Sequence, residues 1–385
     1  VVKEGGAAAA VAKMCFGNGI GFDFDIEDEG VLFAPLSGSI VAELADDVPI
    51  RDSAAILLGE TTANPEVIIG GERLPLNQLV SRWTGTLEKI FPNGAPAVAV
   101  TEEVPLCTER NTKAPAIKAA RPRVFIPVFP GTNCEYDSAR AFERAGAEAE
   151  VLVVRNLHSS DIEYTIDRME KAIRNAQIIM LPGGFSGGDE PDGSGKFIAT
   201  TFRNPKIADA VAELLQKRDG LMLGICNGFQ ALIKLGLVPY GEITEPGEDA
   251  PTLTFNTLGR HVSRMVYTRV TSVKSPWFSG VNAGDVFTVP VSHGEGRFVA
   301  SDADVARLIA NGQVATQYVD LEGDPSGDIA WNPNGSVCAI EGITSPDGRI
   351  LGKMGHSERR GENICLNVPG EKDQRIFESG VAYFK

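Results

Sequence analysis

Histidine is scarce in this 385-residue chain, which has four, and the six cysteines form no Cys-x-x-Cys pair and no zinc-finger spacing. These absences argue against a zinc site and a disulfide-bonded secreted fold, and they predict reduced thiols in the cytoplasm. There is also no apolar run of about 18 residues and no signal-peptide layout at the start, so we expect no membrane association. Acidic residues outnumber basic ones, with a net charge of −15, which argues against nucleic-acid binding.

Proline spacing divides the chain. Residues 92–121 carry repeated prolines without a sustained hydrophobic period, which is typical of a linker or an extended surface crossing. Residues 1–91 predict a smaller α+β segment. Its predicted elements are a helix over 7–16, strands over 39–44 and 66–69, and a helix over 76–90. Because the chain opens in what looks like a helix interior, we expect it to be a piece of a longer protein.

Residues 122–385 have a different pattern. Continuously apolar segments ending near Phe129, Val154, Leu181 and Ile225 alternate with helical segments. This alternation predicts an α/β fold with a doubly wound, mostly parallel sheet and helices on both faces. In such sheets ligands bind at the carboxyl ends of the strands. After residue 250 the pattern becomes strand-rich, so we expect antiparallel strands to extend the sheet.

The strongest local motif is Gly-Ile-Cys-Asn-Gly at residues 224–228. It follows an apolar strand and precedes a helix, as a nucleophile elbow does, with Cys226 in the place of serine. The flanking glycines permit a sharp turn, and the helix N-terminus favours the reactive thiolate. The alternative interpretation is a buried structural cysteine at the end of a strand.

A second glycine-rich loop follows the preceding strand, with Leu-Pro-Gly-Gly-Phe-Ser-Gly-Gly-Asp at residues 181–189. Its backbone N–H groups could point at a developing oxyanion beside Cys226. A phosphate loop is excluded, because Glu190 and Phe197 occupy the glycine and hydroxyl positions of a Walker A pattern. A dinucleotide-binding fingerprint starting at Gly183 is excluded as well, because Phe185 occupies a position that requires glycine. An ordinary flexible loop stays possible.

A cysteine nucleophile needs a base, and the base needs an orienting group. Two His-x-Glu arrangements, at residues 293–295 and 356–358, could supply both. Their spacing alone does not choose between them. His158 and His261 have no acidic partner of this kind and are interpreted as surface or packing histidines.

Together these motifs resemble the triad glutamine amidotransferases, and most closely the phosphoribosylformylglycinamidine synthases in their long, single-chain form. Further motifs of that family stand at 129–134, 291–297, 318–320 and 332–336. The resemblance covers the chain from about residue 122 to the end. Residues 1–91 resemble, more weakly, the end of the synthetase portion, an aminoimidazole ribonucleotide synthetase-like domain, most of which would lie upstream.

The resemblance implies that Cys226 is the nucleophile, His356 the base and Glu358 its orienting partner. Ser357 stands where the family often has proline. The other arrangement, His293–Glu295, then belongs to a separate family motif and is a secondary candidate, at the interface with the synthetase or near the site.

Four more positions follow from the resemblance. The backbone N–H groups of Gly184 and Asn227 would form the oxyanion hole, and Gln230 and Phe185 would help to hold glutamine. No metal is expected. The glutaminase domain needs no cofactor, whereas the full-length synthetase uses ATP and Mg²⁺ at a site mostly outside this chain.

The implied function is hydrolysis of glutamine through a cysteine thioester. The ammonia would serve the ATP-dependent conversion of formylglycinamide ribonucleotide to formylglycinamidine ribonucleotide in purine biosynthesis. The expected partners are glutamine and the upstream synthetase portion, and we expect the chain alone to hydrolyse glutamine poorly.

Two other functions stay open at this point. One is a cysteine hydrolase or chaperone-like protein of the same fold. Such proteins usually carry a histidine directly after the nucleophile, where this chain has Asn227. The other is a non-catalytic docking module.

Overall fold

The computed structural model describes residues 1–26, 28–45, 48, 54–185 and 195–385. They form two compact units, Val1–Asn93 and Gly94–Lys385, each with a hydrophobic core of its own. The division falls at the start of the proline-rich stretch 92–121. In the described part of the chain no helix combines the length and the apolar character needed to cross a bilayer.

The first unit has a four-stranded sheet in the order β2–β1–β3–β4. Its central strand β1 pairs antiparallel with β2 and parallel with β3, and β3 pairs antiparallel with β4. Helix α1 packs against α3 and β1. The elements are α1 (Gly6–Phe16), β1 (Gly21–Phe24), α2 (Glu29–Leu32), β2 (Gly59–Thr62), β3 (Glu66–Ile69), β4 (Glu72–Pro75) and α3 (Leu76–Gly85).

Two of the predictions for this unit are confirmed, the helix as α1 and the strand over 66–69 as β3. The strand predicted over 39–44 is wrong, because these residues have no strand partner in the described part of the chain and most of them are exposed. The helix predicted over 76–90 ends early, at Gly85, a residue type that weakens helices. Trp83, inside this helix, and Leu87, beyond its end, are both more than half exposed.

The second unit is built on a nine-stranded sheet in the order β11–β10–β13–β14–β15–β8–β7–β5–β6, with β9 and β12 forming a separate antiparallel pair. Its strands are β5 (Arg123–Val128), β6 (Glu148–Val153), β7 (Ile178–Leu181), β8 (Leu221–Ile225), β9 (Thr252–Thr254), β10 (Val262–Val270), β11 (Val286–His293), β12 (Arg297–Val299), β13 (Val314–Val319), β14 (Ile340–Thr344) and β15 (Ile350–Lys353). Its helices are α4 (Glu135–Arg144), α5 (Ser159–Asn175), α6 (Lys196–Phe202), α7 (Pro205–Lys217), α8 (Asn227–Lys234), α9 (Leu237–Tyr240), α10 (Asp302–Ala310) and α11 (Ile376–Ala382).

The strands β6, β5, β7, β8 and β15 form the parallel half of the sheet. In the sheet, β6 lies on one side of β5, whereas β7 and then β8 lie on its other side. Since crossovers between parallel strands are right-handed, this reversal places helices on both faces. Strands β7 and β8 are buried throughout, as continuous apolar runs predict. The predicted doubly wound fold is confirmed here, and the order reverses between β5 and β7.

The strands β14, β13, β10 and β11 continue the sheet beyond β15 by antiparallel pairing. The predicted antiparallel extension is therefore confirmed, and the sheet as a whole is mixed. Because each antiparallel step reverses the direction, β11 runs the same way as β15 and β8. The loops that follow β5, β7, β8, β15 and β11 thus leave from one edge of the sheet.

The segment from Gly94 to Arg121 has little regular structure and lies along the second unit. The N–H groups of Val98, Cys107 and Ala119 donate to Gly327, Thr271 and Phe384 at 2.8–2.9 Å. The assignment of residues 1–91 to a synthetase-like domain and of 92–121 to a linker stays a prediction.

Candidate active site

Cys226 occupies the sharp corner between β8 and α8. Its backbone has φ 53° and ψ −108°, a conformation that side-chain-bearing residues rarely adopt. Its N–H donates to the carbonyl of Lys353 at 2.9 Å, and its carbonyl accepts from the N–H of Gln230 at 3.1 Å. Strain of this kind is typical of functional corners, so the structure has the elbow geometry that the motif predicts.

The Cys226 thiol is buried, with 5% of the residue exposed. Burial raises its pKa to about 12, and Cys134 and Glu358 add to the rise. Arg359 and the N–H of Asn227 act in the opposite direction without overcoming it. The helix N-terminus favours the thiolate, as the motif predicts, but desolvation outweighs this contribution. A thiolate at this position needs a base to take the proton.

His356 and Glu358 form a buried pair in the turn after β15. The Nδ1 atom of His356 lies 2.6 Å from Oε1 of Glu358. Although burial opposes ionisation, contact with His356 holds the pKa of Glu358 below its ordinary value. In the described part of the chain the Nε2 atom of His356 is buried without a hydrogen-bond partner. This imidazole is thus oriented by a carboxylate through one nitrogen and free to exchange a proton through the other.

The Cys226 elbow and the His356–Glu358 turn leave the sheet side by side. Strands β8 and β15 are adjacent and parallel, with Ile225 opposite Lys353. Each functional turn begins directly after that pair. The sheet register therefore places the nucleophile and the base that the resemblance implies in neighbouring turns at one edge of the sheet.

Cys134, to which the sequence analysis assigned no role, lies in the same cluster. Its Sγ is 3.8 Å from Nδ1 of His356, and Nη2 of Arg359 donates to it at 3.1 Å. Burial and the nearby Glu358 raise its pKa to about 11. Two signals were available: its place in the 129–134 motif, and its position after β5, where the strand order reverses. A contact between residues 222 positions apart leaves no local pattern.

Cys134, His356 and Glu358 also have the spacing of metal ligands, with ligand atoms within 4.8 Å of one another. Sulfur, nitrogen and oxygen donors suit zinc. The Arg359 guanidinium beside the thiol, however, opposes a further positive charge. The contacts favour a polar cluster over a metal site.

The glycine loop after β7 packs against this cluster. A Cβ added to Gly183 would lie 2.7 Å from Cε1 of His356. Gly184 has φ 141°, and a Cβ there would lie 2.5 Å from the carbonyl oxygen of Gly131. The N–H of Phe185 donates to that same oxygen at 2.8 Å. A side chain at either position would meet atoms already there, so the loop backbone approaches the site closely. Residues 186–189 of the predicted loop lie outside the described residues.

Gln230, one of the two residues predicted to hold glutamine, lies in α8 directly after the elbow. Gln230 donates through Nε2 to the carbonyl of Glu295 at 2.6 Å and accepts through Oε1 from Nδ2 of Asn227 at 2.9 Å. The Phe185 ring lies 6.1 Å from the ring of His261. Asn227 is the first residue of α8, with its N–H at the Cys226 sulfur. The roles of Gly184, Asn227, Gln230 and Phe185 stay predictions.

His293, the other candidate base, also lies at this edge, at the end of β11. The Cys226 Sγ is 3.8 Å from the carbonyl of the preceding residue, Ser292. In the described part of the chain neither ring nitrogen of His293 has a hydrogen-bond partner. Burial, together with His356 and His261, lowers its pKa to about 3, so the ring is neutral at pH 7. Among the residues that the structure describes, a carboxylate therefore orients His356 and none is hydrogen-bonded to the ring of His293.

Comparison with known proteins finds relatives of the second unit. Residues 121–384 match the family described as the CobB/CobQ-like glutamine amidotransferase domain. Phosphoribosylformylglycinamidine synthase subunit PurQ of Methanococcus maripaludis is 37% identical over 239 residues, which are 62% of this chain and 82% of that protein. The subunit of the same name from Aquifex aeolicus is 33% identical over 247 residues, which are 64% of this chain and 94% of that protein. A solved structure, PurLQS from Thermotoga maritima, is 28% identical with a TM-score of 0.49, covering 69% of this chain and all of that one (100%).

Proposed function

The chain belongs to the CobB/CobQ-like glutamine amidotransferase family, and from that premise we propose that it is the glutaminase part of a phosphoribosylformylglycinamidine synthase. Its reaction is the hydrolysis of glutamine to glutamate and ammonia at Cys226. The observation that carries this proposal is the register of β8 and β15, from whose adjacent ends the Cys226 elbow and the turn with the His356–Glu358 pair begin.

The reaction begins with transfer of the Cys226 proton to Nε2 of His356. This transfer is needed because burial raises the pKa of the thiol. The sulfur then attacks the side-chain amide carbon of glutamine, and the carbonyl oxygen becomes an oxyanion. Backbone N–H groups of Gly184 and Asn227 would stabilise it, and one such donor typically lowers a barrier by about 3 kcal/mol.

Collapse of the tetrahedral intermediate breaks the carbon–nitrogen bond, and His356 returns its proton to the departing ammonia. A glutamyl thioester is left on Cys226. His356 then accepts a proton from water, whose oxygen attacks the thioester and releases glutamate. Throughout, Glu358 keeps the imidazole oriented and stabilises its protonated form.

The ammonia would be used by a synthetase, the part of the enzyme that needs ATP and Mg²⁺. There it would convert formylglycinamide ribonucleotide to formylglycinamidine ribonucleotide. The PurQ relatives are named as subunits of such a synthase, which supports a synthetase as the partner.

Labelling with an electrophilic glutamine analogue tests the site without depending on ammonia release. We expect mass spectrometry to find the label on Cys226 and on none of the other five cysteines. Cys226→Ala should abolish both labelling and ammonia release, whereas Cys107→Ala, a half-buried cysteine away from the cluster, should behave as the wild type. A label on Cys134 would contradict the proposal.

The two candidate bases are separated by the same measurements. His356→Ala should slow glutamine hydrolysis by about 10²- to 10⁴-fold, the usual contribution of a general acid–base group. His293→Ala should cost less, because no carboxylate of the described residues is hydrogen-bonded to that ring. A larger loss for His293→Ala would assign the base to the other histidine.

A further inference from the structure

A buried ion pair lies directly beneath the turn that carries His356. Nζ of Lys353, the last residue of β15, is 3.2 Å from Oε1 of Glu341 on the neighbouring strand β14. Both side chains have 0% exposure. Burying two charges costs much of what their attraction returns, so such a pair is weak evidence for a stabilising role. Further hydrogen bonds of Lys353 and Glu341 go to the residues on either side of His356.

The pair fixes the residue that precedes His356. Nζ of Lys353 donates to the carbonyl of Gly355 at 2.7 Å, and the N–H of Gly355 donates to Oε1 of Glu341 at 2.6 Å. A Cβ added to Gly355 would lie within 3.0 Å of both charged groups. Both backbone polar groups of Gly355 are thus bound by one ion pair, and the glycine lets them approach.

The residue that follows His356 is held by the same ammonium group. Nζ of Lys353 donates to Oγ of Ser357 at 3.0 Å. The Ser357 hydroxyl donates to Gln374, whose Nε2 donates to Oγ1 of Thr268 at 3.1 Å. An ammonium group has three protons. Those of Lys353 are used on Glu341, Gly355 and Ser357, which leaves the turn little freedom.

Lys353 also contacts the nucleophile, through its main chain. Its carbonyl accepts the N–H of Cys226 at 2.9 Å. One residue therefore holds the elbow with its backbone and the His356 turn with its side chain. A displacement of about 1 Å between reacting groups can cost about 10²-fold in rate, so such coupling bears directly on catalysis.

We propose that Lys353, paired with Glu341, is a positioning residue that holds the 355–357 turn so that His356 faces Cys226. This inference rests on the proposed glutaminase function. Neither side chain needs to touch glutamine, so their removal acts on the reaction step and leaves glutamine binding in place.

The test uses the full chain and the rate at which an electrophilic glutamine analogue labels Cys226. In Lys353→Met/Glu341→Gln the ammonium group is removed without leaving a buried charge unpaired. We expect the maximal labelling rate to fall about ten- to hundredfold, with the half-saturating analogue concentration changed less than about twofold. A thiol without its base ionises only at its own raised pKa, so the pH of half-maximal labelling should move upward.

Two single variants complete the test. Ser357→Ala removes one acceptor of the ammonium group and should lower the labelling rate in the same direction but by less. If the double variant does not fold, this single variant tests the positioning role by itself. The matched control is Gln313→Leu. Gln313 is also buried and donates two hydrogen bonds, to Pro239 and Thr344, away from the His356 turn. It should be labelled like the wild type.

The inference is overturned if the folded double variant, or Ser357→Ala, keeps the wild-type rate and pH profile. It is also overturned if the rate falls only in proportion to the unfolded fraction measured by circular dichroism. Absence of any label on Cys226 in the wild type would instead overturn the proposed function, so the two failures are distinguishable.

Discussion

His293 is a buried imidazole whose protonation state differs between the folded and the unfolded chain. Burial, with the neighbouring His356 and His261, lowers its pKa to about 3 in the folded state. In the unfolded chain a histidine titrates near pH 6.5. Between these two values the unfolded state binds one more proton than the folded state. The free energy of unfolding therefore falls as the pH is lowered through this window.

Acidification from pH 7 to pH 5 should destabilise the second unit by about 2 kcal/mol through His293, at about 1.36 kcal/mol per pH unit below 6.5. In His293→Asn, whose new side chain does not titrate, the loss of unfolding free energy over the same pH change should be about 2 kcal/mol smaller than in the wild type. Urea unfolding followed by near-ultraviolet circular dichroism at both pH values measures the difference. The control is His158→Asn, which replaces an exposed histidine and leaves the buried ring of His293 in place. Equal losses in wild type and His293→Asn would contradict a neutral buried ring.

At the scale of elements, the elbow depends on how closely α8 approaches the end of β7. An ideal Cβ on Gly228 would lie 1.9 Å from the carbonyl oxygen of Leu181. A Cβ on Gly224 would lie 2.6 Å from the carbonyl oxygen of Gly228. Both glycines are therefore required by the packing of the helix on the sheet, and this packing sets the position of Cys226.

Gly228→Ala should push α8 away from β7 and displace Cys226. Overpacking of this kind typically costs about 1–3 kcal/mol of stability. The displacement should slow Cys226 labelling by at least about tenfold. Gly247→Ala is the matched control, because a methyl group there would meet no atom within 4 Å. A wild-type labelling rate and an unchanged unfolding midpoint in Gly228→Ala would contradict this prediction, because they would show that α8 can move away from β7 without loss of stability or activity.

The elements of the parallel half could be predicted because their signals are local. Strand β8, for example, is an apolar run bounded by glycines, and α8 follows with helical periodicity. The strand predicted over 39–44 failed because alternation shows that a segment could pair, and nothing in it shows whether a neighbour exists. For α3 the apolar spacing continued past Gly85, where the helix itself ends.

The arrangement of the site was less predictable, since it depends on contacts between distant residues. The motifs identified Cys226 and both His-x-Glu pairs, but the register of β8 and β15 decides which residues meet. Lys353 stands at the end of an apolar strand, where a lysine is ordinarily expected at the surface. Its partner Glu341 belongs to another strand, so no local pattern reveals the pair. The high pKa of the thiol likewise follows from burial, which the motif does not show.

At the scale of the whole molecule, the two units differ greatly in the size of their cores. In the described residues the core of the first unit is a small cluster that includes Val11, Phe24 and Val67. The core of the second unit extends from β5 to α11. Small cores leave a domain marginally stable, whereas a large unit buries a greater fraction of its surface. The residues of the candidate site all belong to the larger unit.

Calorimetry of the full chain should therefore show two unfolding transitions, the lower one from Val1–Asn93. Matched substitutions in the two cores assign them, since Val67→Ala and Val270→Ala each remove a buried valine side chain at a cost of about 2 kcal/mol. Val67→Ala should lower only the first transition, by about 10 °C, and Val270→Ala only the second, by less, because a larger unit has a larger unfolding entropy. Cys226 labelling at 25 °C should stay at the wild-type rate in Val67→Ala, because its site lies in the other unit. A single transition that shifts with both substitutions would mean that the two cores unfold as one.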